Sequence, residues 1–140
     1  MRVILDTNTV IASAWKSSGD CRRVLDALFH RKLAVCYVSP AIVQEYEETA
    51  RYPKFGHLRR ELSRQFRRVK RHARSVVPRE SVTILSDPDD DKFLELAKAV
   101  KADSLITGDL EAFGQLHSFG ETRILTPHEF LAVLEKAALL

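Results

Sequence analysis

A three-layer α/β domain with a mostly parallel sheet of about five strands is the fold this chain predicts. Three observations carry that expectation. Short runs rich in Val, Ile and Leu alternate with helical-period segments along the whole chain. No repeat, low-complexity tract or long linker divides it, so residues 1–140 are expected to form one domain. With 140 residues, 45% of them hydrophobic, the chain is long and apolar enough for a single core.

The elements follow in order. Val3–Leu5 is a strand, and Thr9 to Trp15 continues as a short helix that Ser17-Ser18-Gly19 breaks. Arg22 to His30 is helical, with Val24, Leu25, Leu28 and Phe29 on one face. Leu33–Val38 is the second strand. Ser39 then caps a helix with Pro40 at its first position, and Tyr52-Pro53-Lys54 and Gly56 interrupt it. From His57 to about Val76 the spacing of Leu62, Phe66, Val69, Ala73 and Val76 predicts an amphipathic helix. Val82–Leu85 is the expected third strand, and Asp87-Pro88 caps the helix that buries Phe93, Leu94, Ala97 and Val100. Ser104–Thr107 and Thr122–Leu125 are the fourth and fifth strands. Thr126-Pro127-His128-Glu129 is a capping box opening a last helix through Leu134.

Composition narrows the function classes. No apolar run approaches the roughly 18 residues of a membrane span, and the opening strand meets an acid too early for a signal peptide. Cys21 and Cys36 lack metal-ligand spacing and read as free thiols, which suits a cytoplasmic protein. The five histidines form no zinc-type pair. Net charge is +3, but Arg59 to Arg79 holds nine Lys or Arg and one acid, giving +8, so the rest stands at −5 (3 − 8). A basic segment beside acidic clusters suggests a polyanion brought to a cation site.

The acids themselves point to that site. Asp6 closes the first strand, Glu45 lies in the helix after the second, Asp87-Asp89-Asp90-Asp91 opens a helix, and Asp109 follows Thr107-Gly108. Ligands of an open parallel sheet bind at the carboxyl ends of its strands, where such scattered acids converge. Carboxylates about 4 Å apart repel by roughly 4 kcal/mol at an effective dielectric near 20, so the cluster needs protons or a hard cation such as Mg²⁺ or Mn²⁺. Each acid also has a bland reading. Asp6 caps a helix, Glu45 shares a solvated face with Glu47 and Glu48, and the Asp run serves a helix dipole. Thr107-Gly108-Asp109 is a turn whose glycine permits positive φ or close approach. Helical phase favours Glu45 over Glu47, leaves Glu48 as an alternative, and turns Asp91 toward the buried side with Leu94 and Ala97.

Taken together, Val3-Ile4-Leu5-Asp6-Thr7-Asn8, Ser39-Pro40-Ala41-Ile42-Val43-Gln44-Glu45, Asp87 to Asp91 with Phe93-Leu94-Glu95-Leu96-Ala97, and Leu105-Ile106-Thr107-Gly108-Asp109 resemble the PIN-domain family. The ending Arg123 to Leu131 is similar to the branch found as toxins of bacterial toxin–antitoxin pairs, the VapC-like ribonucleases. The resemblance implies a Mg²⁺- or Mn²⁺-dependent endoribonuclease with Asp6, Glu45, Asp91 and Asp109 as its acids. Of these, Asp6, Asp91 and Asp109 would hold metal. Thr7, Asn8, Thr107 and Glu111 would support them. It selects Asp91 over Asp90 because Asp91 lies sixteen residues before Thr107. It further implies an RNA substrate, a cognate antitoxin, a homodimer and no membrane. On the basic helix, Arg60, Arg64, Arg67, Arg68 and Arg71 would contact RNA through phosphate rather than by base stacking. The alternatives are a phosphatase or receiver domain, disfavoured by Asn8 and by the single acid after the first strand, and a non-catalytic RNA- or partner-binding module.

Overall fold

The computed structural model describes residues 1–140. The strands are β1 (Arg2–Leu5), β2 (Val35–Val38), β3 (Arg74–Ser75), β4 (Ser104–Ile106), β5 (Ser118–Phe119) and β6 (Thr122–Leu125). The helices are α1 (Thr7–Trp15), α2 (Asp20–Phe29), α3 (Pro40–Ala50), α4 (Arg59–His72), α5 (Asp91–Val100) and α6 (Pro127–Lys136), with 3₁₀ turns at Pro53–Leu58 and Pro88–Asp90. They build one sheet in the order β3-β2-β1-β4-β6-β5, parallel except for the β5–β6 hairpin. The chain winds outward from β1 to β2 and β3, then crosses to β4 on the other side of β1. The switch point therefore lies between the carboxyl ends of β1 and β4.

The central strand explains the core. Val3, Ile4 and Leu5 are fully buried, as a strand covered on both faces requires. Helices α1, α2, α4 and α6 pack on one another, while α5 crosses β1, β2 and β4 with Phe93, Leu94, Leu96 and Ala97 buried. Helix α3 touches both α4 and α5. Its Tyr46 is fully buried, stacks on Phe66 of α4 at 4.9 Å, and donates its hydroxyl to the Leu5 carbonyl at 2.8 Å. That bond ties α3 to the end of β1. The Ser39 cap on Ile42 and the reciprocal Thr126–Glu129 capping box form as the sequence predicts. No helix is long and apolar enough to cross a membrane.

Two expectations fail in one stretch. The amphipathic helix stops at His72, four residues before Val76, because Arg74 and Ser75 add a short edge strand beside Tyr37 and Val38. The Val76 amide bonds the Val38 carbonyl at 2.9 Å. Val82–Leu85, in turn, joins no strand. The amides of Ile84 and Leu85 bond the Asp91 carboxylate at 3.2 and 3.0 Å in place of a ladder. The β-branched composition was right for a strand, but a side-chain acceptor seven residues away satisfies the backbone first.

Candidate active site

Four elements deliver acids to the carboxyl end of the sheet. Asp6 follows β1, is buried, and makes no capping bond to α1, so the helix-cap reading does not hold for it. Its Oδ2 accepts the Thr107 hydroxyl at 2.8 Å across the switch point. Thr107 Oγ1 also accepts the Asp109 amide at 2.9 Å, which fixes the turn after β4. Gly108 in that turn has no positive φ, and a Cβ built there meets nothing within 4 Å. The expectation of a strained or closely approached glycine is therefore not met.

Glu45 reaches the same place from α3, the neighbour of the Tyr46 that is tied to Leu5. The Thr7 hydroxyl donates to its Oε2, and the Lys92 ammonium sits 2.8 Å from its Oε1 in a largely buried pair. Glu47 pairs with Lys70 of α4 at 2.7 Å, and Glu48 takes the Gln44 amide at 3.0 Å on the exposed face. Of the two, it is the Glu45 carboxylate that meets Thr7 and Lys92.

In the Asp87 to Asp91 run the structure separates two neighbours. Asp91 is buried, and its Oδ1 is taken by the Ile84 and Leu85 amides. Through that oxygen it holds the incoming loop. Asp90, one residue earlier, is half-buried among the acids. Desolvation, then Asp87, Glu45 and Asp109 push its carboxyl up to about 6 against the weaker pull of Lys92. Desolvation likewise raises Asp6 to about 7. Thr107 opposes the shift, and Asp90 and Glu45 add to it. The helical phase that favoured Asp91 is the reason it points inward: a side chain in phase with Leu94 and Ala97 lies under the helix. Asp90 was legible as one acid of the run, but nothing in the run marked it. Lys92 was not singled out at all; its only signal was a cation directly after four acids.

The remaining expected residues are spread unevenly. Asn8 and Asp109 are exposed at the rim, and Asp109 Oδ1 accepts the Ala112 amide at 3.2 Å. Glu111 is exposed and makes no side-chain bond to the other acids. On α4, Arg60, Arg67 and Arg71 are exposed and unpaired, while Arg64 pairs with Glu61 at 3.2 Å. Arg68 is committed elsewhere, 2.8 Å from Asp26 and over the Phe29 ring at 5.8 Å. Arg51, just past the end of α3, and Arg59, Arg67 and Lys70 of α4 line a groove between those two helices.

A hard divalent cation suits this chemistry in donor type and in charge. The donors are oxygens only, and Asp6 and Asp90 are both held toward the protonated form by burial and by neighbouring acids, Asp90 and Glu45 for Asp6, and Asp87, Glu45 and Asp109 for Asp90. No three acidic, histidine or cysteine side chains converge on a single point as they stand, and Glu45 and Asp109 are engaged by Thr7, Lys92 and the Ala112 amide.

Fold and site together define a doubly wound α/β domain with an acidic centre at its topological switch. The PIN-domain family model matches residues 2–111, and the chain belongs to that family. PIN domains are in general nucleases that use divalent metal ions. The chain is 29% identical to the uncharacterized protein MJ1680 of Methanocaldococcus jannaschii, over 97% of this chain and 93% of that one. It also superposes on VapBC2 from Rickettsia felis, solved bound to a DNA fragment from their promoter. The TM-score there is 0.62 at 13% identity, covering 90% of this chain and 98% of that chain, a likeness of fold.

Proposed function

We propose that this protein is a Mg²⁺- or Mn²⁺-dependent endoribonuclease and the toxin of a toxin–antitoxin pair. The observation that carries the reading is the gathering of acids at the β1–β4 switch point, where burial, Asp90 and Glu45 raise Asp6, and burial, Asp87, Glu45 and Asp109 raise Asp90. Asp6, Asp90 and Asp109 would hold the ion. We place Asp90 in that set ahead of the expected Asp91, because two backbone amides engage Asp91 Oδ1 and Asp90 is the neighbour that raises Asp6. The chemistry such an ion supplies when bound is neutralisation of charge on a scissile phosphate and acidification of water. The chain's own residues do the rest. Thr107 orients Asp6, Thr7 and Lys92 fix the Glu45 carboxylate at the rim, and Glu45 accepts a proton from the attacking water. Arg60, Arg67 and Arg71 draw the RNA backbone to the domain by counterion release.

The likeness to VapBC2 supports a protein partner of the antitoxin kind, and a homodimer is the assembly we propose for the free protein. The deciding experiment incubates purified protein with single-stranded and structured RNAs in Mn²⁺, Mg²⁺ or EDTA beside Asp6→Asn. Cleavage that needs the ion and Asp6 supports the nuclease. RNA binding without cleavage in either metal would leave a binding module instead.

A further inference from the structure

The carboxyl end of the sheet opens onto a second feature that the acid chemistry does not use. A groove of about 670 Å³ runs from Asn8 and Gly108, next to Asp6 and Thr107, along α1 to Trp15 and the start of α6 at Pro127 and His128. That volume lies within the range of small-molecule sites. Trp15 stands 63% exposed at its far end, with the His57 ring against it at 5.3 Å and an interplanar angle of 87°. Ile11, Ala12 and Pro127 give the walls an apolar character, and Asn8, Thr126 and Lys16 supply polar groups. Asp20, the acid in the groove, is paired with His128 at 3.4 Å and with Arg23 at 3.5 Å.

We infer that this groove is a nucleobase subsite for single-stranded RNA, with Trp15 as the stacking platform; the inference rests on the ribonuclease reading above. Three features fit one occupant. Asn8 and Gly108, which line the groove, stand two residues after Asp6 and one before Asp109 in the chain, so a strand with a phosphate at the acids has the groove beside it. Trp15 lies eight residues along α1 from Thr7, about 12 Å at 1.5 Å per residue, which a few nucleotides span. A half-exposed indole beside apolar walls and scattered amide, hydroxyl and ammonium groups matches a base, whose faces stack and whose edges hydrogen-bond. Gly108 lines the groove in open space, with no protein atom within 4 Å of where a Cβ would stand. The basic helix has no exposed Phe, Tyr or Trp of its own, so stacking and phosphate attraction are divided between α1 and α4.

Trp15 is the chain's single tryptophan, and its fluorescence reports the groove directly. The test titrates an eight-nucleotide single-stranded RNA into the full-length protein in EDTA, with the same length of abasic ribose-phosphate as control, and separately follows cleavage of the RNA in Mn²⁺. Saturable quenching by the RNA and not by the abasic chain is expected. Trp15→Ala should weaken RNA affinity about 5- to 150-fold, the range of base–aromatic stacking, with Trp15→Phe recovering much of it. Quenching without cleavage would keep the subsite and remove the ribonuclease reading. Cleavage without quenching, equal quenching by the abasic chain, or no response to RNA at all would overturn the subsite, and the last would leave the groove to a polypeptide partner.

Discussion

Thr107 and Asp6 join the two strands that flank the switch point: the Thr107 hydroxyl donates to Asp6 Oδ2 at 2.8 Å, across a separation of 101 residues. That bond, with a weaker one from the Thr7 amide, is less than a buried carboxylate needs. Desolvation outweighs it and pushes Asp6 up to about 7, with Asp90 and Glu45 adding to the shift.

The consequence is a pH-dependent stability of the metal-free protein. The folded pKa lies above the unfolded value near 3.8, so the folded state binds the proton more tightly. Stability is full below about pH 4, falls as pH rises, and levels once Asp6 is ionised above about pH 7. A rise from 3.8 to about 7 sets a ceiling of about 4 kcal/mol. Thermal melts in EDTA should show lower stability at pH 8 than at pH 5, and Asp6→Asn should raise the pH 8 value. A wild-type profile that rises over this interval would contradict the placement of Asp6.

Asp90 and Asp91 are predicted to fail differently. Asp90→Asn removes a cleft acid and should abolish cleavage with the melting temperature unchanged or raised. Asp91→Ala strips the acceptor from the Ile84 and Leu85 amides and should cost about 1–3 kcal/mol of stability. Asp91→Asn keeps an oxygen for those amides, so it should retain most of the stability and measurable cleavage. Denaturant unfolding and cleavage assays on the three variants decide it. Loss of cleavage in Asp91→Asn with full activity in Asp90→Asn would return the site to Asp91.

These two residues also mark how far the sequence could be read. The parallel sheet was legible because β1, β2, β4 and β6 are apolar runs with turn or cap residues at their ends, and pattern depends on local burial. The edge strand at Arg74–Ser75 was not, since it is two exposed polar residues paired only through backbone. Asp6 and Thr107 were legible from position, because a strand end in such a sheet has a known place. The choice between Asp90 and Asp91 turned on where the Ile84 and Leu85 amides find an acceptor. The Glu45–Lys92 pair spans 47 residues, and no local pattern records either contact.

Lys92 is a cation already standing in an acidic centre. Lys92→Met should let Mn²⁺ bind about three- to tenfold more tightly, as expected for removing one charge several ångströms away in a partly screened site. The same change should lower the cleavage rate, because Glu45 keeps only the Thr7 bond. The apoprotein should lose no more than about 1 kcal/mol, the scale of such a pair. Calorimetric Mn²⁺ titration beside single-turnover cleavage separates the effects. Weaker Mn²⁺ binding would mean that Lys92 holds Glu45 in a ligating position.

The arginines of α4 should divide by their partners rather than by their charge. Arg60, Arg67 and Arg71 are exposed and unpaired, so changing all three to Gln should weaken binding of single-stranded RNA evenly across sequences. The slope of log affinity against log salt should flatten by about 2, at roughly 0.7 per phosphate contact on a single strand. Arg68→Ala should leave that slope in place and destabilise the fold, because its guanidinium ties α4 to Asp26 and covers Phe29 on α2. Salt-dependent filter binding on both variants, with melting curves for each, makes the comparison. An unchanged slope in the triple variant would move the RNA path off α4, to the face of α1 that carries Trp15.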